Sequence, residues 1–567
     1  MSGLGSRTLA DQRIPVDGDI TLHADVYVPK VDGRYPAVVS FGAYSTELHT
    51  AGAPTGSNEI GSPPVFTDRG YCPVIVERRG MGRSGGEQGP FFGVQDIDDH
   101  EAVIAWAAGQ PWCNGEVVLF GTSYYGMTQP MVAARRPPAL KAFFANEICT
   151  DPYRHIINFG GVPGLYFMDL WMGANFTEKM QDLRVSPQKR ALLSHLTNGP
   201  MHPLLEKVVH RKVDDLFTHF MSATPVESVR RTFVDWVFDA KTREAGLVAE
   251  GVGDHLGHID VPFVVVQNLG YFNLHQFGSY ELFEKAGTPA DRKWMILGPA
   301  EYLLPVYSWQ EEALAFFDHV LRSTDNGYDG QAPVRFWVEG AETFDTSATF
   351  PPPSARMQRL YLASGGVLSD VEPEAGSDSW IGIPIGLPVI GGLDEIEHQL
   401  LTFELPVEDD TELAGAVTAD LTFSCNEIDS YVIARLSRID AEGIRHHLSM
   451  GAVRPTAASA DPGRGSSVEI AHDTGRRQAL TPGEPVHLRF SLTPVPVRLQ
   501  AGDRLRLDVG SRSDLLRQSP ADGYVQFDLP VPPYLCRNTL HFGGASWIEV
   551  DRIRPARAAN LSTRPGR

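Results

Sequence analysis

Ser123 lies between two glycines, where a run of strand-forming residues gives way to a helical pattern. The stretch 116–120 is typical of a buried strand, and Gly121-Thr-Ser-Tyr-Tyr-Gly126 follows it directly. A serine on so sharp a turn projects its hydroxyl away from the backbone, and glycines leave room because they carry no Cβ atom. The backbone N–H of Tyr124, at the helix N-terminus, would then face an oxygen on which negative charge develops. The pattern predicts a serine nucleophile beside an oxyanion-binding site.

The glycine spacing around this serine is one residue longer than in the most familiar motif of this kind. An ordinary Gly-Ser turn without a chemical role is therefore an alternative explanation. The elements that precede and follow the turn must decide between the two.

Strands and helices alternate along the first part of the chain. Residues 20–29 alternate apolar with polar side chains, and residues 35–41 and 71–77 are continuously apolar, as expected of strands buried on both faces. This rhythm predicts a mainly parallel sheet, in which sites lie beyond the carboxyl ends of the strands. Tyr44 and Ser123 both follow strands at such ends. Amphipathic helices are predicted over 96–109, 278–286 and 310–321.

The chain divides into three predicted units. Residues 1–150 and 256–326 form an α/β core, and residues 151–255 interrupt it with a helical pattern that we interpret as an inserted cap. Residues 327–567 carry short alternating segments separated by turns, which is typical of an all-β sandwich or jelly roll. Those segments lie at 334–338, 358–362, 415–423, 430–437, 486–492, 504–509 and 523–529.

Composition excludes several classes of function. The 567 residues carry a formal net charge of −21, which argues against nucleic acid and anionic membranes as partners. The first 13 residues are polar rather than signal-like, and the five scattered cysteines fit a reducing cytoplasm without metal-ligand spacing. The glycine-rich stretch 80–86 lacks the Gly-Lys-Ser/Thr ending of a phosphate loop. We expect a cytoplasmic protein that uses no metal or cofactor and acts on a small molecule; a homodimer is compatible with the sequence.

Five motifs follow one another along the chain: Arg79-Gly-Met-Gly-Arg-Ser-Gly-Gly-Glu87, Gln110-Pro-Trp-Cys-Asn-Gly115, Gly121-Thr-Ser-Tyr-Tyr-Gly-Met-Thr-Gln129, Leu297-Gly-Pro299 and Phe316-Phe-Asp-His319. Their joint order resembles the cocaine esterase and X-prolyl dipeptidyl peptidase family of α/β-hydrolases. The resemblance implies an α/β-hydrolase core, an inserted helical cap and a C-terminal jelly roll, with serine esterase or peptidase activity. It also implies that Ser123 is the nucleophile and that the hydroxyl of Tyr44 joins the Tyr124 N–H in the oxyanion site.

The resemblance fails at the two partners of the serine. The family's acid lies in a segment like Gly-Trp-Tyr-Asp, where this chain has Asn273 at the matching position, and its histidine follows a Gly-Pro, where this chain has Tyr302. An amide cannot stabilise an imidazolium as a carboxylate does, and a phenol that titrates near about 10 is a poor base. Because a serine hydroxyl without a base is a poor nucleophile, ordinary triad hydrolysis is not expected.

Three hypotheses follow. In the leading one, the oxyanion-type pocket polarises a carbonyl of a small metabolite while Glu301, Tyr302 or His275 moves a proton, in a lyase, isomerase, cyclisation or acyl-transfer reaction. In the second, the protein is a serine ester or amide hydrolase with a relocated base. That base would be Glu301, whose pKa burial would raise, or His275, two residues after the acid position. In the third, the protein binds a ligand without catalysis.

The cap is expected to select the substrate. It carries aromatic side chains suited to an apolar pocket wall, although each could equally belong to the core of the cap. The candidate substrate-binding residues are Phe159, Tyr166, Phe167 and Trp171.

Overall fold

The computed structural model describes residues 3–44, 59–89, 91–163, 252–270, 274–299, 305–384, 399–512 and 532–553. Within these ranges the chain forms two ten-stranded sheets and one short hairpin. No helix within the same ranges is both long enough and apolar enough to cross a membrane.

The first sheet has a parallel centre with antiparallel strands at its edges, and its spatial order is β1-β2-β4-β3-β5-β6-β9-β10-β11-β12. The seven strands from β4 to β11 in that order run parallel to one another. Its strands are β1 (Ser6–Asp17), β2 (Ile20–Pro29), β3 (Tyr35–Gly42), β4 (Cys72–Glu77), β5 (Cys113–Thr122), β6 (Leu140–Asn146), β9 (Phe263–Asn268), β10 (Lys293–Gly298), β11 (Val334–Val338) and β12 (Thr343–Ser347). The hairpin strands β7 (Asn158–Phe159) and β8 (Val162–Pro163) lie outside this sheet.

Helices cover both faces of this sheet. They are α1 (Pro63–Thr67), α2 (Val94–Ala108), α3 (Tyr124–Ala133), α4 (Gly278–Lys285) and α5 (Pro305–Arg322). In β5, Val118 and Phe120 belong to the same buried cluster as residues of α5, whereas Val117 and Leu119 belong to the cluster that includes residues of α2 and α3. This alternation explains the continuously apolar central strands, because both faces of each strand are buried.

The core extends further along the chain than the predicted boundary at residue 326. Residues 334–338 were predicted to belong to the β-sandwich, but β11 pairs in parallel with β10, with Val334 opposite Met295. The antiparallel strand β12 then adds a further strand to the same sheet. Apolar alternation identifies a strand but not its neighbour. The crossover through α5 brings β11 back to the parallel sheet.

The second sheet forms the predicted all-β domain. Its order is β19-β18-β21-β16-β14-β13-β22-β17-β20, with β15 paired to β22. It encloses a separate buried cluster that includes Trp380 and Phe423. Its strands are β13 (Arg356–Ala363), β14 (Val367–Ser369), β15 (Ser377–Gly382), β16 (Leu400–Pro406), β17 (Thr411–Cys425), β18 (Val432–Ile439), β19 (Arg445–Val453), β20 (Val486–Leu499), β21 (Arg504–Gly510) and β22 (Cys536–Ile553). The strand predicted at 523–529 lies outside the described residues.

Only the two ends of the predicted cap are described. Its first residues form a π-helical turn over Tyr153–Ile157 and the β7–β8 hairpin, and its last residues enter a 3₁₀ helix over Gly253–His258. The helical pattern predicted between them lies outside the described residues.

Candidate active site

Ser123 occupies a strained turn between β5 and α3. Its backbone dihedrals are φ 56° and ψ −121°, a conformation that costs a side-chain-bearing residue about 1–3 kcal/mol. The flanking glycines are required by close approach. A Cβ atom on Gly121 would lie 2.4 Å from the Tyr125 Cβ, and one on Gly126 would lie 2.6 Å from the Asn146 carbonyl oxygen. The turn thus has the strand–serine–helix geometry that the sequence predicts.

His275 approaches this serine from the loop that follows β9. Its Nε2 lies 3.2 Å from the Ser123 Oγ, which is hydrogen-bonding distance. The histidine is 5% exposed, and burial lowers its pKa to about 3. The imidazole is therefore neutral at neutral pH and can accept a proton. The structure thus brings to Ser123 one of the two side chains that the second hypothesis names as a relocated base, because residues 152 positions apart in the sequence meet where β5 and β9 end.

A buried glutamate secures the start of this loop. Glu147 follows β6, and its two carboxylate oxygens accept hydrogen bonds from the Asn268 backbone N–H (2.5 Å) and from the Gln267 Nε2 (3.0 Å). Gln276, next to the histidine, donates from Nε2 to the Asn268 carbonyl at 3.3 Å. These contacts connect the end of β9 to the residue that follows His275. Glu147 was not among the predicted site residues because no strand was predicted over Leu140–Asn146.

Tyr44 lies beyond the carboxyl end of β3, the neighbour of β5 in the sheet. Its side chain is buried, and its ring is tilted against that of Tyr125 with centroids 5.7 Å apart. The Tyr44 hydroxyl donates to the Glu59 Oε1 at 3.2 Å. Burial raises the pKa of Glu59 well above its ordinary value. Nothing in the local sequence pattern singles out Glu59 as a partner.

The side chain of Tyr124 is held by a buried ion pair. Its hydroxyl donates to the Asp96 Oδ2 at 2.6 Å, and its ring stacks on Phe92 with centroids 4.4 Å apart. Arg78 donates from Nε to the Asp96 Oδ1 at 2.9 Å. Arg78 and Asp96 are each about 2% exposed or less. Tyr124, whose backbone N–H is the predicted oxyanion donor, is therefore held in place by the contacts of its side chain. The sequence signal that could have revealed this ion pair is Arg78, next to the first motif, together with Asp96 at the start of α2.

Phe159, a predicted pocket residue, lies on β7 beside the His275 loop. It is buried, and its ring stacks on Phe277 with centroids 5.7 Å apart. Six further predicted site residues lie outside the described residues, so their roles remain predictions: Tyr166, Phe167, Trp171, Asn273, Glu301 and Tyr302.

His100 and a cluster around His155 contain side chains of the types that bind metals, but both make other contacts. His100 is buried and stacks on Phe41 with centroids 4.8 Å apart, which is a packing role. His155, Glu281 and Glu469 bring ligand atoms within 4.8 Å of one another. The guanidinium of Arg154 already lies among these carboxylates, 2.8 Å from Glu281 and 3.5 Å from Glu469, so a cation there would meet an arginine.

The chain matches two family models in tandem. Residues 17–303 match the X-Pro dipeptidyl-peptidase (S15 family) model, and residues 326–545 match the X-Pro dipeptidyl-peptidase C-terminal non-catalytic domain. The chain belongs to the X-Pro dipeptidyl-peptidase (S15) family. Membership makes it a relative of serine esterases and peptidases, and its enzyme class is that of the hydrolases.

Similar proteins include an esterase, a hydrolase and an aminopeptidase. The cocaine esterase of a Rhodococcus species is 25% identical over 538 residues, which cover 85% of this chain and 90% of that protein. A CocE/NonD family hydrolase from Staphylococcus aureus superposes with a TM-score of 0.75 at 20% identity, covering 96% of this chain and 94% of its own. An aminopeptidase from a marine sediment Thaumarchaeota archaeon gives a TM-score of 0.71 at 16% identity over 97% of both chains. The two structures establish a common fold.

Proposed function

We propose that the protein hydrolyses carboxylic esters or amides of small molecules, with Ser123 as the nucleophile and His275 as the general base. One observation carries this proposal: the 3.2 Å contact between the Ser123 Oγ and the His275 Nε2. A neutral imidazole in that position supplies the proton acceptor that a serine hydroxyl needs.

The proposed reaction has two halves. As the Ser123 Oγ attacks the substrate carbonyl, its proton passes to the His275 Nε2, and the carbonyl oxygen becomes an oxyanion. The Tyr124 N–H donates a hydrogen bond to that oxygen, and the Tyr44 hydroxyl does so as well when its single hydrogen turns from the Glu59 Oε1 to the oxyanion. The imidazolium then protonates the leaving alcohol or amine, and the acyl group remains on Ser123. A water molecule, deprotonated by His275, releases the acid and restores the serine.

The other two hypotheses lose their support. Non-hydrolytic chemistry was favoured because Asn273 and Tyr302 stand at the positions that match the family's acid and histidine, whereas the contact of His275 with Ser123 supports a hydrolytic role. A silent binding protein has no need for a serine held in a strained conformation with an imidazole beside its hydroxyl.

The imidazolium needs a group that stabilises it. Asn273 lies two residues before His275, and Glu301 and Tyr302 follow β10, the neighbour of β9 in the sheet. A carboxylate stabilises an imidazolium better than an amide or a phenol does. Of these side chains, Glu301 is therefore the candidate for a supporting acid rather than for the base, and its pairing with the imidazole would raise the pKa of His275 above the value that burial gives.

Esters with an apolar acyl group are the substrate class that we propose first. The Rhodococcus relative is named a cocaine esterase and matches over most of its length. The aromatic residues of the cap, with Phe159 among them, suit an apolar acyl group. Amides of the X-Pro type are the second class, as the family model suggests.

A substrate panel with two site variants tests the proposal. p-Nitrophenyl esters of increasing acyl length and X-Pro p-nitroanilides should be assayed with the wild type, Ser123→Ala and His275→Asn. Asparagine tolerates the positive φ of 61° at position 275 but cannot accept the proton. A fluorophosphonate probe should label the wild type and neither variant.

The matched control is His446→Ala. His446 is a partly exposed histidine that contacts Asp440 at 2.8 Å in the β-domain. It should retain full turnover and labelling. An ester hydrolysed as fast by His275→Asn as by the wild type would refute the assignment of the base. Absence of turnover and labelling in the wild type would favour the binding protein.

A further inference from the structure

Glu59 lies shortly before α1, with its carboxyl group beside the hydroxyl of Tyr44. Its Oε1 is 3.2 Å from the Tyr44 hydroxyl oxygen. Gln310 of α5 anchors the adjoining backbone, because its Oε1 accepts from the Ser62 N–H at 3.1 Å and its Nε2 donates to the Ser62 carbonyl at 3.0 Å. Ile60, next to the glutamate, is buried in the core. The fold therefore holds the carboxyl group of Glu59 against the tyrosine.

The second carboxyl oxygen of Glu59 is buried and has no hydrogen-bond partner among the described residues. No basic side chain in the described parts of the chain pairs with this glutamate, and burial raises its pKa despite the Tyr44 hydrogen bond. Glu549 shows the opposite case, since its largely buried carboxylate pairs with Arg489 at 2.7 Å. Although burial acts to raise the pKa of Glu549, Arg489 lowers it. Because a buried carboxylate without such a partner is costly, Glu59 favours the neutral acid.

Tyr125 of α3 is the second phenol near this carboxyl group. Its ring is tilted against that of Tyr44. Burial raises the pKa of Tyr125 well above its ordinary value, and the charges of Glu59 and Glu77 raise it further. A neutral phenol supplies no positive charge, so Tyr125 does not compensate an ionised Glu59 as an arginine would.

The hydrogen bond between Glu59 and Tyr44 must rearrange when an oxyanion forms. The Tyr44 hydroxyl has one hydrogen and two lone pairs. Once that hydrogen turns to the oxyanion, an ionised Glu59 would leave two acceptor oxygens facing each other at 3.2 Å. Their repulsion would hold the hydrogen back on the glutamate. A protonated Glu59 removes this conflict, because its own O–H can donate to the Tyr44 oxygen.

We infer that Glu59 is a positioning residue: as a neutral carboxylic acid, it donates a hydrogen bond to the Tyr44 oxygen and directs the single Tyr44 hydrogen to the oxyanion. This inference rests on the proposed function, in which Tyr44 is an oxyanion donor. The two hydroxyl hydrogens then point in one direction, towards the reacting carbonyl, and hydrogen bonds in such a chain strengthen one another. Glu59 keeps its proton throughout, so it acts only through Tyr44.

Infrared spectroscopy of the full chain tests the protonation state. The difference spectrum between the wild type and Glu59→Gln at pH 7 should contain the C=O stretch of a protonated carboxylic acid. Other buried acids, such as Glu147, are present in both proteins and cancel. Glu549→Gln is the matched control and should remove carboxylate bands only, because Arg489 holds that group ionised. Carboxylate bands in the Glu59→Gln difference would overturn the inference.

Turnover of a p-nitrophenyl ester tests the direction of the hydrogen bond. Glu59→Met removes the donor and should lower kcat by about fivefold at constant KM, the effect of one hydrogen bond. Glu59→Gln should recover most of this loss, because an amide N–H can donate to the Tyr44 oxygen. In a Tyr44→Phe background, Glu59→Met should have no further effect, whereas a merely structural role would lower kcat in both backgrounds.

Two kinetic outcomes would overturn the inference. A higher kcat in Glu59→Met than in the wild type would mean that an ionised Glu59 withholds the Tyr44 hydrogen. An equal loss in the Tyr44→Phe background would mean that Glu59 does not act through the tyrosine. Absence of turnover in the wild type would instead refute the proposed function, and the infrared spectrum separates the two failures because it does not depend on turnover.

Discussion

The Ser123 Oγ and the His275 Nε2 lie 3.2 Å apart, although the two residues are separated by 152 positions. The histidine comes from the loop after β9, where the family's acid is expected, rather than from the loop after β10. The parallel strands β5, β6 and β9 end at the same edge of the sheet. A base can therefore reach the serine from more than one loop.

Replacing the base should abolish most turnover while leaving the fold intact. We expect His275→Asn to lower kcat/KM for a p-nitrophenyl ester by about 10³-fold or more, the size of effect seen when a serine loses its base. The melting temperature should change little, because asparagine accepts the backbone conformation of position 275. Steady-state kinetics and calorimetry would measure both. A loss of less than about tenfold would mean that another group takes the proton.

The pH dependence of turnover should lack the usual histidine limb. Burial lowers the pKa of His275 to about 3, so its basic form is fully present at pH 7 and remains so as the pH falls to 5. We expect kcat/KM to stay constant between pH 7.5 and 5, measured with an ester whose spontaneous hydrolysis is slow. A half-maximal rate near pH 6.5 would contradict this prediction and would indicate that a carboxylate such as Glu301 pairs with the imidazole in the free enzyme.

Removing the Tyr44 hydroxyl should affect the chemical step rather than binding. Tyr44→Phe should lower kcat by about 10²-fold with little change in KM, as expected for the loss of one oxyanion donor. Glu59→Gln is the companion variant. Its amide oxygen can still accept the Tyr44 hydroxyl, so activity should largely persist. If the two variants lose activity equally, the Tyr44–Glu59 hydrogen bond as a unit is required, and the loss cannot be assigned to an oxyanion donor alone.

The buried ion pair behind Tyr124 should be essential to stability. Asp96→Asn leaves the guanidinium of Arg78 without its charge partner in a buried site and should cost about 3–5 kcal/mol in the free energy of unfolding. Asp98→Asn on the same helix is the matched control, because Asp98 is half exposed and its contact with Arg135 is at the surface. Its effect should stay below about 1 kcal/mol. Urea denaturation would separate the two, and similar losses would argue against the buried pair.

Acid sensitivity should depend in part on His100. Burial lowers its pKa from 6.5 to about 3, so the folded state holds it neutral while the unfolded state becomes protonated. Its contribution to stability is full above pH 6.5 and is lost as the pH falls towards 3. As the pH falls through that window, the stability of His100→Leu relative to the wild type should rise by about 1.4 kcal/mol per pH unit. Denaturant titrations at pH 7, 6, 5 and 4 would show it. A stability difference that does not change with pH would refute the assignment.

Local requirements were predictable from the sequence, whereas long-range ones were not. The turn at Ser123 is predictable from its two flanking glycines, because a Cβ atom on either one would collide with neighbouring atoms. The contact of His275 with that serine depends on a loop that Glu147 and Asn268 hold in place. The spacing of apolar residues in the sequence does not predict the course of such a loop. Likewise, alternation identified β11 as a strand, but its pairing with β10 depends on where α5 returns the chain. The contact between Asp96 and Tyr124 was missed for the same reason.

The hairpin at the base of the cap sits directly on the C-terminal domain. A Cβ atom on Gly160 would lie 1.8 Å from the Ala452 carbonyl oxygen, and the Arg454 N–H donates to the Gly160 carbonyl at 2.8 Å. Truncating the chain after β12 would therefore remove the residues that cover Phe159 and Phe277 beside the His275 loop, and would expose both rings to water. The C-terminal domain supplies none of the proposed catalytic residues, but it is a structural part of the catalytic unit. The α/β core and the C-terminal domain should therefore be expressed together.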